Sequence, residues 1–352
     1  MFKKGKTGRY VIKIEIQKFL ELSENFPVID VRSPSEHIYG HIPGAINIPL
    51  FDDHEREVVG TEYKNAGRVK AILKGLELAG PSLYKKLTEA LKSAKTGKLL
   101  VHCWRGGMRS EAMAWLFSIG GIDTEILEGG YKSYRNHILS VLSQQRRMII
   151  LGGMTGSGKT HILKYIKNNG HQVIDLEGIA NHKGSAFGAL GQPPQPSSEH
   201  FANLLYDEWR HLDENMPVWL EDESRNIGNV FMPDTFYGNM LDSPAIILLM
   251  DIKTRLPELL KEYSVYPPGI IKESIMKIRK RLGGEETASA IRAVDSGDFA
   301  KAIEIILGYY DRAYLFGIKR RKPERIVYVD ADTGNIEKNA GKVLEAANKI
   351  KW

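Results

Sequence analysis

Lys98-Leu99-Leu100-Val101-His102-Cys103-Trp104-Arg105-Gly106-Gly107-Met108-Arg109-Ser110 holds the single cysteine of a 352-residue chain. Its first four residues form an apolar run of strand length. Beyond it, Met113, Leu116 and Phe117 recur at helical spacing. The stretch reads as strand, tight loop and helix, with Cys103 at the base of a loop whose N–H groups point inward. The helix start contributes the positive end of its dipole. Arg105 and Arg109 contribute fixed charge, and Trp104, Gly106, Gly107, Met108 and Ser110 complete an anion loop. Such a cradle lowers a thiol pKa and holds a tetrahedral anion against the sulfur. A lone cysteine is more often a buried structural residue. Two arginines, two glycines and a helix start around this one favour a reactive thiol instead.

Outward from this loop, the first half alternates strand and helix signals. Ile14, Phe19 and Leu20 predict a short amphipathic helix. Pro27 to Arg32 reads as a buried strand, and Ser33-Pro34-Ser35-Glu36 as a helix start. Gly40 to Pro49 is turn-rich and leads into an apolar strand. Residues 68 to 93 read as helix broken near Gly80-Pro81, Thr124 to Leu127 as strand, and Glu128 to Tyr131 as a turn. That alternation implies a parallel sheet with helices on both faces. The length exceeds what one core usually serves, so two domains are expected. Hydrophobic content of 42% and charged content of 26% are those of soluble globular protein. No apolar run approaches the roughly 20 residues of a membrane span. Met1 to Arg9 is basic without an apolar core behind it, unlike a secretory signal. One cysteine excludes an internal disulfide and a Cys-based metal cluster, and a cytoplasmic location without membrane contact is the expectation. A net charge of +6 permits a polyanionic partner without requiring one.

The second half opens on a polar helix over residues 132 to 147, read as the connection between domains. Met148-Ile149-Ile150-Leu151 is a strand, followed at once by Gly152 and Gly153-Met154-Thr155-Gly156-Ser157-Gly158-Lys159-Thr160. The last eight residues satisfy the phosphate-binding loop pattern, with strand before and helix after. The glycines let backbone N–H groups wrap a diphosphate, Lys159 neutralises it, and the Thr160 hydroxyl is placed to hold Mg²⁺. His171 to Leu176 reads as a strand, then Asp175 and Glu177 lead into a long polar loop carrying His182, Lys183 and Ser185. Residues 197 to 214 read as helix. Pro217 to Leu220 reads as a buried strand ending in Glu221-Asp222-Glu223-Ser224-Arg225, where a carboxylate suits a Mg²⁺-linked role or a plain strand cap. Ala245 to Met250 and Ile326 to Val329 add strands, with helices over 256–263, 269–282, 286–294 and 299–316 between them. Lys277, Arg279, Lys280 and Arg281 read as a solvated face. Lys319-Arg320-Arg321-Lys322 is a candidate for phosphate-backbone contact.

Asp30-Val31-Arg32, Glu36, Gly40 to Ala45, and Leu127-Glu128-Gly129-Gly130-Tyr131 resemble the two signatures that flank the cysteine loop of the rhodanese family, over about residues 5 to 135. The five residues between Cys103 and Arg109, with His102 before and Ser110 after, also fit the signature of cysteine-dependent phosphatases. A loop of that length suits a phosphate-sized anion better than a bare sulfur. Nearly the whole chain resembles the tRNA 2-selenouridine synthase family. Cys103 to Ser110, Glu128 to Arg135, Gly152 to Thr160, Asp175-Leu176-Glu177, Asn181 to Gly188, and Glu221 to Gly228 carry the likeness. The fold class implied is α/β, with an N-terminal rhodanese-like parallel-sheet domain over 1–135, a linker helix over 136–147, and a C-terminal P-loop NTPase-like α/β domain over 148–352.

The resemblance implies a transferase working on the wobble 2-thiouridine of tRNAs for lysine, glutamate and glutamine. Geranyl diphosphate would alkylate the sulfur, and selenium from selenophosphate, supplied by its synthetase, would replace the geranylthio group. Gly153 to Thr160 would bind the diphosphate, with Mg²⁺ on Thr160. Cys103 would carry selenium as a selenosulfide or direct its transfer, with Arg105 and Arg109 on the donor's oxygens. Asp175, Glu177, His182, Lys183, Ser185, Glu221, Glu223 and Arg225 are the candidate substrate or tRNA loop, and apolar helices after residue 230 are candidates for the geranyl pocket. Two rivals stand beside this reading. One is a cysteine-dependent phosphatase fused to a P-loop kinase or ATPase. The other is a non-catalytic tRNA-binding module, against which complete loop chemistry in both halves argues.

Overall fold

The computed structural model describes residues 12–185, 187–331, 334–350 and 352. The basic stretch Met1 to Arg9 and Ala186 of the long polar loop lie outside the described residues. The chain divides into two compact units, Met1–Val141 and Leu142–Trp352.

In the first unit five strands run parallel: β1 (Ile12–Ile14), β2 (Val28–Asp30), β3 (Ile46–Asn47), β4 (Lys98–His102) and β5 (Asp123–Leu127). Their spatial order is β1-β5-β4-β2-β3, so β4, which delivers Cys103, is the central strand. Leu99, Leu100 and Val101 are all buried, the continuous apolar run of a strand covered on both faces. The expected helix at 14–20 is divided: Ile14 ends edge strand β1, and the helix is Ile16–Ser23 with Phe19 buried. Three residues at a sheet edge are too few to show a period of two. The helix expected from residue 68 starts earlier, at Asp53, where Asp52 and Glu55 form a reciprocal cap. It bends at Gly67 (φ 83) and ends at Ala79, before a 3-10 turn over Gly80–Ser82 and a helix over Leu83–Ser93. The connecting helix runs Gly130–Ser143 rather than 136–147, with Tyr131, Tyr134, Ile138 and Leu142 buried along one face. Gln144, Arg146 and Arg147 follow its end.

The second unit has another parallel five-stranded sheet: β6 (Met148–Gly153), β7 (Gln172–Val173), β8 (Val218–Glu221), β11 (Ala245–Leu249) and β12 (Ile326–Asp330), in order β12-β11-β6-β8-β7. Strands β9 (Asn226–Ile227) and β10 (Val230–Phe231) pair antiparallel by themselves. The chain leaves β6 toward one side of the sheet and later fills the other. The carboxyl end of β6 is therefore a topological switch point, the place where open α/β sheets bind ligands. The strand expected over His171–Leu176 is shorter, because Asp175 accepts the Gly178 N–H (2.7 Å) and caps a helix over Leu176–Ala180. The single helix expected over 269–282 is two, Pro268–Lys277 and Arg279–Leu282, broken at Ile278. Among the described residues no helix is long and apolar enough to cross a membrane.

Candidate functional site

Cys103 follows the last residue of β4 and is stapled to the start of the helix Gly130–Ser143. Tyr131 N–H donates to the Cys103 carbonyl (2.8 Å) and Lys132 N–H to that of Trp104 (3.0 Å). Two glycines make this approach possible. Gly106 (φ +63) lies where a Cβ would strike the Leu127 carbonyl, and Gly130 (φ +61) where it would strike the Cys103 carbonyl and the Gly106 nitrogen. Gly107 caps the helix Met108–Ile119, Trp104 tilts against Tyr131 with ring centroids 5.7 Å apart, and Met108 is exposed.

The thiol is buried, and burial pushes its pKa up. The Ser110 hydroxyl, the Arg109 charge and the N–H groups of Arg105 and Ser110 outweigh that, so the thiol stands below its ordinary value. Ser110 Oγ lies 3.3 Å from Cys103 Sγ and 2.9 Å from the Gly107 carbonyl, two acceptors that share its single hydroxyl proton. Arg109 is held by Glu36, with Nη1 to Oε2 at 2.6 Å and Nη2 to Oε1 at 3.3 Å. Glu36 in turn accepts the Ser33 N–H at 3.0 Å and lies 3.8 Å from Arg56. Burial raises the Glu36 pKa, but Arg109 overcomes it and the carboxylate stays ionised. Arg105 turns its side chain to solvent. Beneath the loop Arg32 forms a buried ion pair with Asp30 (2.6 Å), donates to the Gly40 carbonyl (2.7 Å) and lies 3.8 Å over the Tyr131 ring. Burial pushes His102 down to about 4, so its ring is neutral at physiological pH. Glu36 as the holder of Arg109 was missed in the sequence: the two are 73 residues apart, and only the packing joins them.

In the second unit the loop Gly153 to Thr160 leaves β6 and enters the helix Lys159–Asn168. Gly156 (φ +81) and Gly158 (φ +77) take conformations that glycine adopts without strain. Met154 and Thr155 span the turn, which Ser157 N–H closes on the Met154 carbonyl (3.1 Å). Lys159 Nζ donates to the Gly153 carbonyl at 2.9 Å. The exposed Thr160 lies 3.1 Å from Glu221 Oε1 and 3.5 Å from Glu177 Oε2. Glu221 also accepts the Glu177 N–H (3.3 Å). Burial and then the charges of Glu177 and Asp175 push Glu221 up to about 8. Burial and the neighbouring carboxylates push Glu223 up as well. A Cβ on Gly184 would lie 2.9 Å from Glu177 and 3.0 Å from Glu223, so the polar loop packs its backbone onto this acidic cluster.

The other candidates of that loop separate. Ser185 is buried at 8% exposure, beside the cavity described below, and His182 is buried at the same 8% against Gly188 and Gly228. Lys183 pairs with Glu262, and Arg225 makes an exposed pair with Asp234 (2.6 Å). The basic cluster at 319–322 is corrected in part. Arg321 is buried, holding Asp222 (2.6 Å) and the Met240 carbonyl (2.8 Å), because the end of β8 needs a countercharge. Lys319, Arg320 and Lys322 remain exposed.

Two further contacts fix the phosphate loop. Tyr314 accepts the Gly153 N–H (2.7 Å) and donates to Asp222 (3.0 Å). Arg255 donates to the Thr155 carbonyl (2.9 Å) while paired with Asp311 (2.6 Å). The helices that carry these two residues, Ile252–Tyr263 and Phe299–Ile318, also wall a narrow apolar cavity. Its lining includes Leu259, Ile271, Ile303, Ile306 and Leu307, and Thr155 of the phosphate loop.

Residues 146–267 match the tRNA 2-selenouridine synthase AAA domain, and residues 15–137 match the rhodanese-like domain. A tRNA 2-selenouridine synthase of Nitrosomonas europaea is 32% identical, over 84% of this chain and 90% of its own length. The chain belongs to the tRNA 2-selenouridine synthase family. A relative of that name from Shewanella frigidimarina is 34% identical, over 87% of this chain and 92% of its own. One from Bdellovibrio bacteriovorus is 35% identical, over 85% and 76%. Membership makes the chain an enzyme of that family, with the rhodanese half first and the P-loop half second, as the signatures implied.

Proposed function

We propose that the protein makes 2-selenouridine at the wobble position of tRNAs for lysine, glutamate and glutamine, by geranylation and then selenation. The observation that carries the reading is the phosphate loop Gly153 to Thr160 at the carboxyl end of β6, with its left-handed glycines Gly156 and Gly158, in a chain of this family. Backbone N–H groups and Lys159 in that loop suit a diphosphate, the leaving group of geranyl diphosphate. In the first step the 2-thiouridine sulfur attacks C1 of the geranyl group, the C1–O bond breaks and diphosphate leaves. Lys159 and the loop N–H groups stabilise the charge that develops on it. Thr160, Glu221 and Glu177 are hard oxygen donors that fit Mg²⁺. Among the described residues no three His, Cys, Asp or Glu side chains form a metal cage. Mg²⁺ bound through one or two carboxylates and phosphate oxygens needs none. When bound, the ion supplies countercharge to the leaving diphosphate.

In the second step selenium from selenophosphate replaces the geranylthio group. The Cys103 loop is the site for that donor, its tetrahedral oxyanion facing Arg109 and the N–H groups around the sulfur. Relatives that carry the synthase name over most of their length support 2-selenouridine in tRNA as the product. Nucleoside mass spectrometry on 2-thiouridine tRNA tests it. Geranyl diphosphate alone is expected to give the S-geranyl nucleoside, and later selenophosphate to convert it to 2-selenouridine. An unchanged nucleoside after both additions would reject the reading.

A further inference from the structure

We propose that Lys277, Arg279, Lys280 and Arg281 form the surface of the second unit that holds the tRNA backbone beside the nucleotide being modified. This rests on tRNA as the family's substrate, and deepens that reading by placing the grip on particular residues.

The local fold aims these side chains outward. The helix breaks at Ile278, and Ile275, Ile278 and Leu282 turn inward to share an apolar cluster with Phe187. That spacing leaves positions 277, 279, 280 and 281 to solvent, and all four cations are exposed. Among the described residues none of the four forms an ion pair, although Glu273, Glu285 and Glu286 lie close by in sequence. Other exposed lysines of the unit are paired: Lys261 with Glu258, Lys272 with Asp295, Lys301 with Glu304 and Lys322 with Asp242. Four uncompensated like charges in five residues repel one another, a cost that a bound polyanion removes.

The patch also adjoins the phosphate loop. Phe187, against which its helices pack, belongs to the polar loop that lies on the acidic cluster. Lys277 acts on His182 of the same loop: burial, and then the Lys277 charge, hold that imidazole below its ordinary pKa. His182 N–H donates to the Glu177 carbonyl at 3.0 Å, and the Glu177 carboxylate lies 3.5 Å from Thr160. A short run of neighbours thus joins Lys277 to the site where the diphosphate binds.

The acidic cluster makes such a surface necessary. Glu177 and Glu221 lie at Thr160, with Asp175 and Glu223 acting on them, so this side of the phosphate loop repels a nucleic-acid backbone. Cations must stand clear of the cluster, yet near enough to hold the nucleotides that flank the one in the site. Positions 277 to 281 meet both conditions. The run Lys319 to Lys322 offers less, because Arg321 is buried on Asp222 and Lys322 is paired. Lysine and arginine contacts to phosphates position a nucleic acid without reading its sequence, which suits an enzyme that accepts several tRNAs.

The test is binding of 2-thiouridine tRNA to the full-length protein across a salt series, without geranyl diphosphate or selenophosphate. Arg279→Ala, Lys280→Ala and Arg281→Ala together should flatten the slope of log affinity against log salt by about two to three units. Affinity near physiological salt should fall at least about tenfold. Lys319→Ala, Arg320→Ala and Lys322→Ala remove the same charge and should change the slope by less than about one unit. Arg279→Lys with Arg281→Lys keeps the charge and should keep the slope. An unchanged slope in the first triple variant, equal losses in both triples, or a lost slope in the lysine pair overturns the proposal. Geranyl diphosphate and then selenophosphate are added to the same samples. If the two triples differ as expected but the unmodified protein gives no altered nucleoside, the proposed chemistry fails and this surface stands. If 2-selenouridine forms and the first triple keeps its full slope, this surface alone is rejected.

Discussion

Ser110 and Glu36 decide what Cys103 can do. The Ser110 hydroxyl is the largest influence lowering the thiol pKa against burial. In Ser110→Ala the thiolate loses one hydrogen bond of about 1–1.5 kcal/mol, which corresponds to a pKa rise of about one unit. The pH midpoint of Cys103 alkylation by iodoacetamide should move up by that amount, and the rate at neutral pH should fall up to about tenfold. Glu36→Gln acts through Arg109. It removes a negative charge that partly cancels the guanidinium, so the Cys103 midpoint should stay or move down while turnover falls, a split that simple unfolding would not produce. Cys103→Ser should retain geranylation of 2-thiouridine tRNA and lose selenation. Equal loss of both would reject the assignment of the second step to this loop.

At the scale of elements, each loop is held by a helix from elsewhere in its own unit. The helix Gly130–Ser143 donates its first N–H groups to the Cys103 loop, and the helix Phe299–Ile318 carries Tyr314 to Gly153. In Tyr314→Phe the Gly153 N–H and one Asp222 oxygen lose their partner. A loss of about 1–3 kcal/mol in stability is expected by denaturant titration, with a raised KM for geranyl diphosphate and selenation of pre-geranylated tRNA unchanged. A normal KM would show that Tyr314 plays no part in shaping the loop. Gly106→Ala should be worse for its unit. The positive φ and the collision with the Leu127 carbonyl together should cost about 2–3 kcal/mol or more and abolish Cys103 reactivity.

Over the whole molecule, the acidic cluster under Thr160 sets the pH response. Glu221 stands near 8 in the folded protein against an ordinary 4.5, so between those values the folded state alone keeps the proton. Stability is full below about pH 4.5 and declines as pH rises toward about 8. Melting of the second unit should follow that decline. Glu221→Gln should flatten it, raising Tm near pH 8 by about 2–4 °C for each kcal/mol of repulsion removed. Adding Mg²⁺ to the diphosphate-bound protein at that pH should raise Tm further in the unmodified protein and less in the variant; equal increments would place the ion elsewhere.

Much of this was legible in the residues, and the reason is locality. A strand, a glycine turn and a helix start lie within a dozen residues in both loops, so Cys103 to Ser110 and Gly153 to Thr160 could be read from spacing alone. The apolar runs of β4 and β6 announced buried parallel strands for the same reason. Edge strands β1 and β7 were misread or overextended, because two or three residues carry no period and pairing decides them. Tertiary structure alone decided the partners of charge. Arg109 found Glu36 rather than solvent, Arg321 turned inward to Asp222 rather than outward to a phosphate backbone, and Tyr314 reached Gly153 across 161 residues. A buried charge must be neutralised by whatever group the packing brings within a few ångströms, and sequence spacing holds no record of that distance.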